Sequence, residues 1–353
     1  MYAIAAKRAV RMTIIRIGLD TSKHVFQIHG VDENERPVLR RQIRRQDVAK
    51  FFAKLVPTRI GMEACGASHY WARVLRGLGH EVVLMPPQYV KPYAQRNKND
   101  KIDAEAICEA MSRPMVQARF VPIKTVEEQA ALTMLSARDL LVKQRTMLIN
   151  AIRGHAAEFG VTVAKGPQQV TELLRRLASD ECVPALAREM IGVLASQLPV
   201  LEARLKAIEA RLVAWHRQNA TCQLLATIPG IGPIGGVSFA LKVPQPRVFR
   251  SSRHFAAWIG ITPREHSTAG RQRLGHISKE GDEDLRRLLV LGATAVIQQA
   301  KPGRASPWLL GLLARKPKKV ATLALANKMA RTIWALMISG EVYRRPKAAE
   351  AAA

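Results

Sequence analysis

The sequence predicts an α/β domain with helices packed on a mixed sheet, then a long helical middle, then a mostly helical and strongly basic C-terminal part. Three observations carry this. The first 85 residues alternate short apolar runs with helical stretches in the order β-β-β-α-β-α-β. Residues from about 122 to 217 carry apolar side chains at helical spacing. From residue 221 to the end there are 21 Lys and Arg against 7 Asp and Glu, a net of +14 out of the +27 of the whole chain.

The chain has 353 residues and 48% hydrophobic content, enough for two or three domains with sizeable cores. A formal charge of +27 calls for a polyanionic partner, and nucleic acid leads. The basic residues are scattered through folded segments instead of lining one amphipathic helix, and no apolar run reaches the length of a membrane span, so no membrane partner is expected. Cys65, Cys108, Cys182 and Cys222 form no CxxC pair. That argues against a disulfide framework or zinc ribbon and fits a reducing cytoplasm. Residues 1–12 are basic but lack the hydrophobic core of a secretory signal, and no function is assigned to them.

In chain order, the run Ile14–Lys23 reads as an apolar strand that ends on Asp20, and Val25–Val31 as a second strand. After the turn residues Asp32–Glu35, a third strand near Val38–Ile43 completes an antiparallel meander. A helix is expected over Gln46–Val56, with Val48, Phe51, Phe52 and Leu55 on one face and Pro57 as its stop. Thr58–Ala64 is the fourth strand and carries Glu63 at its end; a helix over Ala67–Leu78 and a strand over Glu81–Met85 follow. Strands one and four can lie side by side, which brings Asp20 next to Glu63. Asp100 and Asp103, three residues apart, open a further helix. Singly, each acid has a plain role as a turn or helix cap. Together, four carboxylates would repel one another, and divalent cations would relieve that repulsion.

In the middle, Met134, Leu135, Leu141, Val142, Leu148, Ile149 and Ile152 form a broad apolar stripe. Ile191, Leu194, Leu198, Leu201, Leu205, Ile208, Leu212 and Trp215 alternate spacings of three and four, the seam of a coiled coil. Pro199 predicts a kink or a fresh helix start inside it. Two uses of the seam fit, a helical hairpin folded on itself and a dimerisation arm.

Beyond it, Pro229-Gly230-Ile231-Gly232 joins two apolar helical stretches and resembles a helix-hairpin-helix. Glycines there let backbone N–H groups approach a phosphate, which makes Gly230 and Gly232 candidate nucleic-acid contacts; a plain helix–turn–helix connection is the other reading. The loop from Thr262 to Gly281 is rich in Ser, Thr, Gly, His and Arg, with Asp282 as the cap of a following helix. It suits phosphate binding, with Arg264, Arg271, Arg273 and Lys279 as the cations. A serine there could act as a nucleophile only with a base or a strongly electrophilic setting, and nothing in the spacing proves one.

Three stretches, GLDTSK, GMEACGASHYWARVL and RNKNDKIDAEAI, resemble the DEDD tetrad of the RuvC-like nuclease domain in transposases of the IS110 family and its IS1111 subgroup. The Thr262–Asp282 loop is similar to that family's C-terminal transposase domain, with its ISK-x-G-D-x-x-LR pattern. The resemblance spans residues 13 to 340. It implies an RNase H-like domain over 13–120, a helical coiled-coil dimerisation region over 121–218, and a C-terminal transposase domain with helix-hairpin-helix over 219–345. It implies Asp20, Glu63, Asp100 and Asp103 as ligands of Mg²⁺ or Mn²⁺ and Ser267 as nucleophile. This sequence has Ser-Thr-Ala-Gly where many relatives have Ser directly before Gly, so Thr268 and Ser278 stand as rivals. The resemblance further implies DNA and an element-encoded bridge RNA as partners, a homo-oligomer (dimer or tetramer), and a cytoplasmic, nucleoid-associated bacterial enzyme. Two alternatives stay open: a metal-dependent junction resolvase that uses water, and a non-catalytic nucleic-acid-binding scaffold.

Overall fold

The computed structural model describes residues 13–94, 100–243, 245–268, 270, 271, 273–302 and 305–344. The chain divides into two compact units, residues 1–125 and 126–353. The side chains of Asp100, Lys101 and Pro167 lie outside the described residues.

The first unit is built on a five-stranded sheet: β1 (Arg16–Asp20), β2 (Val25–Val31), β3 (Pro37–Arg44), β4 (Arg59–Glu63) and β5 (Glu81–Met85). Their spatial order is β3-β2-β1-β4-β5, with β1 antiparallel to β2 and parallel to β4. The meander and the pairing of strands one and four are thus as expected. Ile17, Leu19, Ile60 and Met62 are fully buried on one face, in a core with Phe26, Phe52, Trp71 and Leu75. That core is closed by α1 (Val48–Phe52) and α2 (Ser68–Gly77).

The helix expected over Gln46–Val56 is shorter: a 3₁₀ turn over Arg45–Asp47 leads into α1, which ends at Phe52. Its end is tightened by three-residue turns at Lys54 and Leu55. His80 reinforces the stop. The Thr58 N–H donates to His80 Nδ1 at 3.1 Å, so Nε2 carries the hydrogen and donates to the Phe52 carbonyl at 3.0 Å. Pro57 is therefore not what ends the helix. After β5 come α3 (Pro87–Val90), α4 (Asp100–Ser112) and α5 (Pro114–Gln117).

The second unit is helical apart from one hairpin. Its helices are α6 (Val126–Glu158), α7 (Val170–Ser179), α8 (Ala185–Ala195), α9 (Gln197–Gln218), α10 (Ala220–Ala226), α11 (Pro233–Lys242) and α12 (Ser252–Ile259). The hairpin strands β6 (Pro263–Glu265) and β7 (Leu274–Ile277) follow, then α13 (Glu283–Gln298), α14 (Pro307–Arg315) and α15 (Lys318–Ser339). Pro199 sits in the first turn of α9, where a missing N–H is tolerated, so it marks a fresh helix start. The apolar seam is used within the chain. Ile191 and Leu198 pack with Ile152 and Ala156 of α6, and Leu212 packs with Ala131 and Leu135 of α6. Arg138 of α6 holds Glu209 of α9 at 2.8 Å across the same contact.

Candidate active site and nucleic-acid interface

Side chains alternate along a strand, so Arg16, Gly18 and Asp20 of β1 share a face, as do Arg59, Gly61 and Glu63 of β4. It is the face under α4. Arg16 Nε donates to the Cys108 carbonyl at 3.1 Å, and Gly61 lies against Ile107 and Met111. Leu19 pairs with Met62 in the parallel register, so the next residues, Asp20 and Glu63, end neighbouring strands. Both are half-buried. Thr21 Oγ1 and Cys65 Sγ, 3.6 Å apart, tie the two chain segments together just beyond.

The direction of α4 follows from two contacts. Arg16 reaches Cys108, whereas Gly18 abuts Ala104 and Cys108. The helix therefore runs antiparallel to β1, with its first turn towards the Asp20 end. Half-buried Asp103 is in that turn, and Asp100 opens the helix. Among the described residues no three His, Cys, Asp or Glu side chains converge closely enough to hold a metal ion. The fold thus brings Asp20 and Glu63 to one corner and the start of α4 to the same end of the sheet; the Asp100 side chain lies outside the described residues. The donor set is all carboxylate, chemistry that suits a hard divalent cation such as Mg²⁺ or Mn²⁺.

The serine loop is the turn of the β6–β7 hairpin, in which Glu265 pairs with Leu274. Ser267 is exposed. Its Oγ donates to Glu265 Oε1 at 2.7 Å and accepts from the Arg273 N–H at 3.2 Å. Glu265 is the last residue of β6 and Ser267 lies two residues beyond it, and the 2.7 Å bond puts both side chains on one side of the loop. Glu265 was not among the residues singled out from sequence; that i,i+2 carboxylate was the available signal.

Ser278 has a different setting. It is half-buried, its N–H donates to the Thr262 carbonyl at 2.9 Å, and its Oγ accepts from the Glu280 N–H at 3.4 Å. The segment around it is clamped onto the end of α12. Gly260, at φ +80°, allows an approach in which a Cβ would come 1.8 Å from the Glu280 carbonyl oxygen. Thr268 closes the tip of the loop through its carbonyl, which accepts from the Arg271 N–H at 3.0 Å. Arg264, Arg271, Arg273 and Lys279 are all exposed around this hairpin, and Arg264 Nη2 donates to the Ser278 carbonyl at 3.2 Å.

Gly230 and Gly232 lie in the connection between α10 and α11. Gly230, at φ +88°, faces Gly292 of α13, whose carbonyl oxygen would be 2.7 Å from a Cβ there. Its lack of a side chain is thus explained by helix packing. Gly232 has open space around it and is the cap residue before Pro233 at the start of α11. As expected, Asp282 caps α13 by accepting from the Leu285 N–H at 2.9 Å. Lys242 of α11 reaches Asp284 at 2.8 Å, and Arg287 bridges Asp284 and Asp139. Burial works against the Asp284 charge, but its hydrogen bonds to Lys242 and Arg287 prevail and hold its carboxyl below the usual range.

A "Transposase" family profile of the DEDD IS110 type matches residues 17–160, and the "Transposase IS116/IS110/IS902 family" profile matches residues 222–308. The transposase for insertion sequence element IS1111A of Coxiella burnetii is 39% identical over 97% of this chain and 95% of its own length. The chain belongs to the IS116/IS110/IS902 transposase family. The y4pF/y4sB protein of Sinorhizobium fredii is 52% identical over 94% of this chain and 86% of its own length. The transposase for IS1328 of Yersinia enterocolitica is 37% identical over 93% and 98%. This chain is a DNA transposase of the insertion-element kind, and no described helix is long and apolar enough to cross a membrane.

Proposed function

We propose that this transposase cleaves and exchanges DNA strands through Ser267, with Glu265 as its base. The observation that carries the reading is the 2.7 Å hydrogen bond from Ser267 Oγ to Glu265 Oε1. The carboxylate accepts the hydroxyl proton as Oγ bonds to phosphorus; the phosphodiester P–O bond breaks, and the leaving oxygen takes a proton from solvent and departs as a free hydroxyl. The phosphoserine linkage keeps the energy of the broken bond for rejoining. The exposed cations Arg264, Arg271, Arg273 and Lys279 hold flanking phosphates. Gly232, open at the start of α11, offers backbone to a further phosphate, and Gly230 shapes that turn.

Asp20, Glu63, Asp100 and Asp103 are the residues that would hold Mg²⁺ or Mn²⁺. When bound, such an ion supplies electrostatic stabilisation of the charge that builds on the phosphate. Target choice falls to an element-encoded bridge RNA, a reading supported by the family resemblance. A homo-oligomer that pairs the 121–218 helices completes this reading, with the 13–120 and 219–345 parts carrying acids and serine. The pairing uses faces other than the seam packed on α6, and Leu140, Met147, Met190 and Val193 are exposed on those helices.

The test is to incubate the protein with its element's flanking DNA and bound RNA, and to trap denaturant-resistant protein–DNA adducts. Adducts are expected with the wild type, Thr268→Ala and Ser278→Ala, and none with Ser267→Ala. Full strand exchange by Ser267→Ala would overturn the serine reading. Cleavage without an adduct would favour a resolvase that uses water.

A further inference from the structure

In the first unit a cleft opens between the loop after β1, the end of β3 and the start of α2, lined by Lys23, His24, Arg44, Arg45, Tyr70 and Trp71. Its volume is about 890 Å³, room for a nucleotide and its flanking phosphates. None of its described lining residues is acidic. Lys23, His24 and Arg44 are exposed, and the charges of Lys23 and Arg44 face solvent.

The aromatic pair is arranged unequally. Trp71 is 6% exposed and packs edge-on against Phe26 at 5.0 Å. Tyr70 is 51% exposed, and its ring meets Trp71 edge-on at 5.3 Å. A large ring half exposed leaves much of its apolar area in water, and it is a braced platform for another flat ring. Arg45 is fixed over the neighbouring Trp71. Its guanidinium lies 5.3 Å from the centre of the Trp71 ring, its backbone N–H donates to the His24 carbonyl at 2.9 Å, and its Nη1 reaches the Ser22 carbonyl.

We propose that this cleft binds an unpaired nucleotide, its base stacked on Tyr70 and its flanking phosphates on Lys23, Arg44 and Arg45. An exposed aromatic beside a row of cations, with no carboxylate among them, is what single-stranded nucleic acid requires. A duplex offers phosphates but keeps its bases stacked on each other. Lys23 is three residues beyond Asp20, so a strand held here passes close to the end of β1. The ligand chemistry is common to single-stranded DNA and to an unpaired stretch of RNA. The site does not depend on Ser267 being the nucleophile.

The test uses the full-length protein with fluorescently labelled oligonucleotides, single-stranded DNA, single-stranded RNA and duplex DNA in separate arms. Each DNA or RNA single strand carries 2-aminopurine, whose emission falls on stacking. Tyr70→Ala is expected to weaken single-strand binding by roughly 5- to 100-fold and to abolish the quenching. Tyr70→Phe should restore both, because stacking needs only the ring. Lys23→Ala and Arg44→Ala should each lower the salt dependence of single-strand binding by about 0.7 in log–log slope. The arm that binds tighter identifies DNA or RNA as the source. Tyr70 is exposed, so its variants should melt as the wild type does. Wild-type single-strand affinity and quenching in Tyr70→Ala would overturn the proposal, as would equal losses of duplex and single-strand binding.

Discussion

A Cβ on Gly18 would lie 2.1 Å from the Ala104 carbonyl oxygen and 2.6 Å from the Cys108 nitrogen, so α4 rests directly on the backbone of β1. Neither obstacle is a side chain that can rotate away. Gly18→Ala must therefore lift the helix, at a cost of about 1–3 kcal/mol as overpacking. A fall in melting temperature of roughly 5–20 °C is expected for a unit of this size. Because α4 opens with Asp100 and Asp103, strand cleavage should fall further than the folded fraction does, as read by assays well below the melting point.

The hydroxyl of Ser267 and the carboxylate of Glu265 make a second prediction. Gln at position 265 can still accept the hydrogen bond but cannot keep the proton. Glu265→Gln should lower DNA cleavage by about 10²- to 10⁴-fold with DNA affinity unchanged. Glu265→Asp should fall between, since its shorter side chain holds a base at a worse distance. Equal rates for Glu265→Gln and wild type would leave Ser267 without its base.

Much of the first unit was legible in advance because strand patterning and turn residues are local signals. The meander and the pairing that brings Asp20 beside Glu63 both follow from alternation and short connections. What escaped depends on contacts distant in sequence. His80 meets the end of α1 from 28 residues away, so the early stop at Phe52 could not be seen in the helix's own periodicity. The 191–215 seam has coiled-coil spacing, but that spacing does not say which helix it meets; here it meets α6. Glu265 is the exception, since it stands two residues from Ser267 and was within reach of a local reading. Gly18 offered a usable clue, since glycine inside an apolar strand often marks close backbone approach.

His69 gives a pH prediction. It is buried on α2, its Nδ1 accepts from the Lys124 N–H at 3.2 Å, and its Nε2 is 3.2 Å from Lys124 Nζ. Burial first, then the Lys124 and Arg73 charges, push its pKa down to about 4 from 6.5. The folded state then binds fewer protons than the unfolded chain between those values. Stability should rise from pH 4 to 6.5, be complete above that range, and be lost as acid protonates the ring. The contribution is up to about 3 kcal/mol. An NMR titration should find His69 neutral at pH 6, and His69→Gln should flatten the dependence of melting temperature over that range.

The cysteines give a final prediction that reaches the carboxylate corner without touching it. Cys108 and Cys222 are buried, and burial pushes their thiols up to about 11 and about 12. Almost no thiolate forms at either near neutral pH, and a reagent has no path to them. Cys65 and Cys182 are exposed. Native protein should therefore label quickly at two thiols, and unfolded protein at all four, as counted by mass spectrometry. Cys65 follows Glu63 by two residues and touches Thr21 beyond Asp20. In a Cys182→Ser background, a bulky maleimide on Cys65 should block strand cleavage with little change in melting temperature. A Cys65→Ser/Cys182→Ser protein treated the same way should keep its activity. Full activity of the Cys65-labelled protein would mean that the ends of β1 and β4 are not where the DNA is cut.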